Sequence, residues 1–216
     1  PLMALIQAVG FFFGQGSGNY ISRMLGAQHR AEAERMAATG FFSALGAGTV
    51  ILALGLLFRT PLCHLLGATE TIFPYALAYM CIVLIGAPWM TAALVLNNQL
   101  RLQGNATYAM VGLVSGGILN IALDPLFIFV LKLGIAGAAV ATILSQLISF
   151  GLLLLGVKLS GGIQIRLRLF SPSRKRYLAL AGGGIPSLCR QGLASIAVTC
   201  LNTAARPYGA STKMTA

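Results

Sequence analysis

Six apolar stretches follow one another along this chain, at about residues 1–23, 36–58, 71–100, 106–131, 134–157 and 177–205. Each is close to the roughly 20 residues that a helix needs to cross a bilayer. Runs this long and this numerous exceed what one soluble core can bury. The surface argument agrees. Only 9% of the 216 residues are charged and 57% are hydrophobic, with a mean hydropathy of +0.83, whereas a soluble domain carries roughly 25% charged residues. The fold expected is all-α, a polytopic membrane helix bundle of six spans.

Charge placement sets the orientation. Four acids, Glu32, Glu34, Glu70 and Asp124, stand against fifteen Lys and Arg, for a net charge of +11. The cations lie in the short segments between apolar runs, and no basic face with interleaved aromatics exists, so nucleic acid is excluded as a partner. One side of the six spans holds Arg23, Arg30, Arg35, Arg101, Lys158, Arg166, Arg168, Arg174, Lys175 and Arg176; the other holds Arg59, Lys132, Arg206 and Lys213. Cytoplasmic loops carry the excess of Lys and Arg, so the first side is expected in the cytoplasm and the first span runs inward. Asn105-Ala106-Thr107 has the pattern of a glycosylation acceptor but falls on that cytoplasmic side.

The remaining reactive side chains give little. Cys63, Cys81, Cys189 and Cys200 are scattered without CxxC spacing and read as small buried hydrophobes. His29 and His64 have no acid or thiol at metal-ligand spacing, so no structural metal and no cofactor is expected. The chain opens on Pro1 inside an apolar run, with no basic segment before it; a preceding portion is expected.

The connections are short except for one. Lys132-Leu133-Gly134 leaves room only for a tight hairpin, whereas 158–176 is long and basic. The expected organisation is a five-helix amino-terminal lobe at 1–157, a cytoplasmic linker at 158–176, and at 177–216 the first helix of a second lobe. Within the linker, Ile163, Ile165, Leu167 and Leu169 alternate with Gln164, Arg166 and Arg168. That period suits an extended strip lying on acidic headgroups; a plain solvated linker is the other reading.

Small residues recur at four-residue spacing: Gly10, Gly14 and Gly18; Gly40, Ala44 and Gly48; Gly112 and Gly116; Gly134, Ala138 and Thr142. Such stripes let helix backbones approach closely in lipid. Gly14-Gln15-Gly16-Ser17-Gly18 lacks the spacing of a nucleotide loop and sits inside a span.

Asp124 is the only acid within a span. At about 1.5 Å per residue it lies roughly 9 Å from the middle of 106–131, toward the outer side. A carboxylate at a helix centre costs about 2.5–3.5 kcal/mol to insert, and such residues usually serve transport. Low dielectric disfavours the charged form, so the group is expected to work as a proton or cation switch. Asn120 sits one turn earlier at i−4. Pro125 removes a backbone donor and disfavours helix at the residue before it, which puts the acid at an expected kink. The alternative is that Asp124 merely satisfies groups freed by that break.

Two further features stay open. Arg190 lies mid-span among Gly182, Gly183, Gly184 and Pro186; it either lines a cavity or snorkels. Met80, Met90, Met110 and Trp89 either line an adaptable substrate surface or pack the core.

The run 120–128, Asn-Ile-Ala-Leu-Asp-Pro-Leu-Phe-Ile, resembles the fifth-helix signature of the multidrug and toxic compound extrusion (MATE) transporters. Residues 133–142, Leu-Gly-Ile-Ala-Gly-Ala-Ala-Val-Ala-Thr, resemble the start of that family's sixth helix. Ser22-Arg23-Met24-Leu25-Gly26-Ala27, the run Asn97 to Asn105, and Ile185-Pro186-Ser187 with Arg190-Gln191-Gly192 are similar to segments of its second, fourth and seventh helices. The likeness is collinear over nearly the whole chain. It implies a twelve-helix, two-lobed antiporter that exports cationic or amphipathic compounds in exchange for protons or sodium. It further implies a coupling site at Asp124, Asn120 and Thr142, with Tyr79 and Asn97 as candidates on the fourth helix. The family's acid on helix 1 has no counterpart in this chain, and the rest of the carboxy-terminal lobe is the expected partner within the whole protein. The location implied is the cell membrane, and the partners are a small organic substrate and the lipid bilayer.

A lipid-linked precursor flippase is the main alternative, disfavoured because Arg190 is the one cation inside a span. A membrane enzyme or non-transporting subunit is the other, with no Ser/His, Cys/His or paired-acid set at membrane depth. The charge count carries a direct test: a cysteine placed at Arg174 is expected to react with impermeant thiol reagents only from the cytoplasmic face, and labelling from outside would reverse the orientation.

Overall fold

In the computed structural model, which describes residues 2–65 and 73–211, the apolar stretches form six long helices. These are α1 (Leu2–Gly26), α2 (Arg30–Leu57), α4 (Phe73–Leu102), α5 (Ala106–Pro125), α6 (Gly134–Leu159) and α7 (Arg174–Ser211). A short α3 (Arg59–Leu65) follows α2, a π-helical turn (Leu126–Val130) extends α5, and a 3-10 turn (Leu167–Leu169) lies in the long connection. Glu70 and Lys213 fall outside the described residues. Four segments are long and apolar enough to cross a bilayer by themselves: Arg30–Leu57, Phe73–Leu102, Ala106–Val130 and Gly134–Leu159. Helices α1 and α7 have the length, but glycines and polar residues dilute them. The chain is a polytopic membrane helix bundle.

Helix α4 is the hub, packed by α1, α2, α5 and α6. Its buried residues run nearly its whole length, from Met80 through Val83, Leu84, Ala87, Thr91 and Leu96 to Leu100. Pro88 sits inside it and deprives the Leu84 carbonyl of its helical donor. One turn on, the Thr91 hydroxyl lies 2.9–3.0 Å from the carbonyls of Ala44, Ala87 and Pro88, which stitches α2 to this weakened turn. Met80 and Met90 belong to the core cluster with Ile6, Val83, Leu84 and Ala139, and Trp89 packs against it. They are core residues, while Met110 is exposed on the outer face of α5.

The glycine stripes are contact lines. A Cβ on Gly10 would lie 2.6 Å from Leu94 Cδ1, one on Gly14 2.9 Å from Asn98 Nδ2, and one on Gly18 would overlap Leu102, so this stripe seats α1 on α4. Gly16, between them, faces α7, where a Cβ would overlap the Leu180 carbonyl; Gly184 answers from α7 with a would-be 2.5 Å contact to the Phe12 carbonyl. Glycines on both sides of α1 thus allow it to be clamped between two helices. Gly112 and Gly116 seat α5 on Leu153 and Ser149 of α6. One stripe needs correction. Gly134 meets nothing and instead has φ +55° in the hairpin, next to Lys132 at φ +53°. The packing glycine of α6 is Gly137, whose Cβ would lie 2.7 Å from the Phe127 carbonyl.

The long connection also departs from expectation. Ile163 is buried with Ile21, Ala33, Met36 and Leu180, and Ile165 packs on the same cluster. The apolar side of the strip therefore docks on the protein, not on headgroups. The 3-10 turn then breaks the alternation and leaves Leu167 69% exposed between Arg166 and Arg168. Backbone groups of the strip are held by side chains of the bundle: Ile163 N–H by Gln103 Oε1 at 3.2 Å, and the Gly162 carbonyl by Arg30 at 3.0 Å. Arg176, 11% exposed, reaches Glu32 at 3.2 Å and the Ser171 carbonyl at 2.8 Å. These contacts gather the arginines of one side at a single end of the bundle, called here the basic end. Arg174, Lys175 and Arg176 occupy the first turn of α7, where cations oppose the helix dipole, so helix stability is not what holds them there.

The cysteines differ from one another: Cys63 is buried, Cys81 half-buried and Cys189 exposed on α7. The reading of all four as buried hydrophobes fails at Cys189, which stays exposed while, among the described residues, α7 packs through Leu180 and Gly184 on α1 and α2. The side chains of His64, Cys200 and Arg206 are among those not described.

Gly16→Leu is expected to destabilise the bundle by about 1–3 kcal/mol, the usual cost of overpacking, because its Cβ meets a backbone carbonyl that cannot yield. Gly26→Ala, with nothing within 4 Å, is the matched control. Thermal unfolding in detergent compares the two; equal stability would mean α1 and α7 do not cross at Gly16.

Candidate functional site

Asp124 lies one residue before the end of α5, and helical geometry continues through Pro125 (φ −60°, ψ −38°). The break anticipated at the acid comes just after it, as the π-helical turn. The physical cause is the proline, which offers Ile121 no amide hydrogen; the wider turn then closes through Leu131 N–H to the Leu126 carbonyl at 3.0 Å and Leu133 N–H to Phe127 at 3.1 Å. Asn120 Nδ2 donates to Asp124 Oδ1 at 3.3 Å, a long bond, and both side chains are half-buried. Among the described residues no other hydrogen bond or ion pair holds the carboxyl.

Thr142 lies on α6, three residues before Ser145 and seven before Ser149, on the face that Ser149 turns to α5 by bonding the Gly112 carbonyl at 2.5 Å. Its hydroxyl donates to the Ala138 carbonyl at 2.9 Å, which leaves the oxygen lone pairs uncommitted. The helices touch at Gly116–Ser149 and again at Gly137–Phe127, so Thr142 lies at the depth of the Asn120–Asp124 turn. Tyr79 is half-buried against the cluster that contains Ala139, in the same half of the bundle.

Asn97 is elsewhere. Its Nδ2 donates to the Ala109 carbonyl at 2.8 Å. Ala109 is fifteen residues from Asp124, or about 22 Å along α5. The structure thus brings Asn120, Asp124, Thr142 and Tyr79 to the half of the bundle away from the basic end, and it places Asn97 in the other half as a clamp between α4 and α5.

Asn97 belongs to a polar cluster that shows in the sequence only as part of the family-like run Asn97 to Asn105. Asn98, 1% exposed, accepts through Oδ1 from Gln15 Nε2 at 3.0 Å and Arg101 Nη2 at 2.8 Å. Gln99, equally buried, donates to Ser17 Oγ at 3.0 Å and the Ala37 carbonyl at 3.2 Å. Three consecutive side chains of α4 therefore bind three different helices. Hydrogen bonds of this kind are the glue that lipid-embedded helices lack from the hydrophobic effect.

Gln15 also forms part of a cavity between α1 and α7, of about 370 Å³, lined by Gln15, Asn19, Gly182, Gly183, Pro186, Ser187 and Arg190. Cα–Cβ bonds tilt toward a helix N-terminus, which lets Arg190 reach back over the glycines that precede it. Among the described residues no cluster of three or more His, Cys, Asp or Glu is arranged to hold a metal.

Known proteins match this arrangement. The MatE family model matches residues 1–126. Multidrug export protein MepA of Staphylococcus saprophyticus is 26% identical over 210 residues, covering 97% of this chain and 47% of MepA; the protein of the same name from Staphylococcus aureus strain MRSA252 gives the same figures. Among solved structures, MATE in complex with MaL6 superposes with a TM-score of 0.88 at 33% identity, over 95% of this chain and 46% of that one. A multidrug resistance MATE family transporter of the MOP superfamily in its inward-facing conformation gives 0.83 at 32% identity, over 88% of this chain and 44% of that one. The chain spans about half the length of the proteins it matches. Matched by the family model over residues 1–126 and superposed on MATE structures over nearly its whole length, this chain belongs to the MatE family of multidrug and toxic compound extrusion transporters.

Proposed function

We propose that the protein is a secondary active antiporter of the cell membrane, which exports small organic compounds in exchange for protons or sodium by alternating access, with Asp124 as its coupling group. The observation that carries this reading is the Asn120–Asp124 pair beside a π-helical turn. A carboxyl with one long hydrogen bond, held in a bilayer-spanning helix, gains most from capturing a cation.

The pair can exist in two arrangements. With Asp124 ionised, the Asn120 amide N–H donates to it. With Asp124 protonated, the carboxyl O–H donates to the amide oxygen once the amide has rotated, a choice the side chain permits in either sense. For sodium, the Asp124 carboxylate, the Asn120 amide oxygen and the Thr142 hydroxyl form a set of hard oxygen donors. Each state favours a different geometry of the adjoining turn, where the helical hydrogen-bond pattern is already loose. Cation capture thereby biases the packing of α5 on α6, and an equilibrium between two lobe arrangements moves by the difference in cation affinity between them.

Support from relatives is of two kinds. The MepA proteins are multidrug exporters by name, and the solved relatives include inward-facing and outward-facing forms, as well as straight and bent ones. The basic end, with Arg176 tied to Glu32, is the cytoplasmic end in this reading. The linker and α7 begin the second lobe.

Asp124→Asn in the protein expressed from its native gene is expected to reduce gradient-driven export to the level of empty vesicles while membrane abundance stays unchanged. Undiminished export by that variant would contradict the role given to Asp124.

A further inference from the structure

Resting on the antiporter reading, we propose that the cavity between α1 and α7 receives a carboxylate of the exported compound on Arg190, so that the substrates include organic anions and zwitterions as well as cations. Arg190 is exposed into a cavity of about 370 Å³ and, among the described residues, makes no ion pair or hydrogen bond. Its guanidinium is a planar cation with five N–H donors and no acceptor.

The described acids are committed or remote. Glu32 is held by Arg176 and Arg35, and Glu34 by Arg30, all at the basic end. Asp124 is on α5, a helix that packs on α4 and α6.

The other polar walls, Gln15, Asn19 and Ser187, are neutral hydrogen-bonding groups, and Gly182 and Gly183 add no side-chain bulk. Gln15 is fixed by Asn98, which Arg101 also holds, so this wall is anchored to the central helix. A planar guanidinium with neutral donors around it matches a carboxylate in two-pronged geometry, and it repels an ammonium placed at the same point. The volume suits the polar head of a small organic molecule.

The test uses a fluorescent aminocoumarin carboxylic acid and its methyl ester, which differ in the one group at issue. The protein from its native gene is reconstituted in vesicles of phosphatidylcholine, so that anionic headgroups cannot supply the ligand. Transport of both compounds is followed for the wild type, Arg190→Gln and Arg190→Lys. The expected result is a rise of about tenfold or more in KM for the acid with Arg190→Gln, as for loss of a charge-assisted hydrogen bond. The ester's KM should not change, and Arg190→Lys should recover much of the acid's affinity. An equal effect on both compounds marks a structural role for Arg190 and overturns the proposal. So does no effect on either, or export by the wild type of the ester alone, which leaves the antiporter reading standing. Export of neither compound nor of any other would bring down both.

Discussion

In hydrocarbon a helix keeps a polar side chain at low cost only where another helix answers it, and that constraint divides the polar residues of this chain in two. Asn97, Asn98 and Gln99 are answered by Ala109, Gln15 and the Ser17–Ala37 pair. Thr91 is answered by three carbonyls where Pro88 interrupts α4. These groups make a scaffold, and their bonds fix the register in which α1, α2 and α5 lie on α4. Asp124 and Arg190 form the second set. One has a single long bond and the other has none among the described residues. A charge left this way inside a membrane protein is costly.

The scaffold and the two charges are mechanically linked. Glycines at 10, 14 and 18 seat α1 on α4, and Gly16 turns to α7, so the helix that supplies Gln15 to the cavity is positioned by the same contacts that bury Asn98. On the opposite side of α4, Gly112 and Gly116 seat α5 on α6 as far as the Asn120–Asp124 turn. There the α-helical hydrogen-bond pattern gives way to the π-helical turn, which packs on Gly137 of α6.

Much of this was legible in the sequence, for physical reasons. Span lengths follow from bilayer thickness, and small residues at four-residue spacing follow from the helix repeat, so the six long helices and most contact stripes could be read directly. The Asn120–Asp124 pair is an i,i+4 contact and needed no tertiary information. What could not be read depends on which helix lies beside which. Asn97 looked like a partner of Asp124, yet α4 turns it to Ala109, about 22 Å away along α5. The strip at 163–169 showed the right alternation, but period alone does not say whether its apolar side meets lipid or protein; burial of Ile163 on Ile21 and Leu180 decided for protein. Gly134 and Gly137 are indistinguishable by type, and only the hairpin's positive φ separates a turn glycine from a packing one.

The claim on which the account rests is that the Asp124 carboxyl binds and releases a cation within the folded bundle. Asp124 is the only aspartate among the 216 residues, so carbon-13 labelling of aspartate makes its carboxyl the sole shifted band in the infrared spectrum of the chain in bilayers. The account predicts that this band converts between carboxylate and protonated or sodium-bound forms as pH or sodium is varied, while the helical amide band is unchanged. A labelled carboxylate band that responds to neither cation over the range in which the helices persist would contradict it.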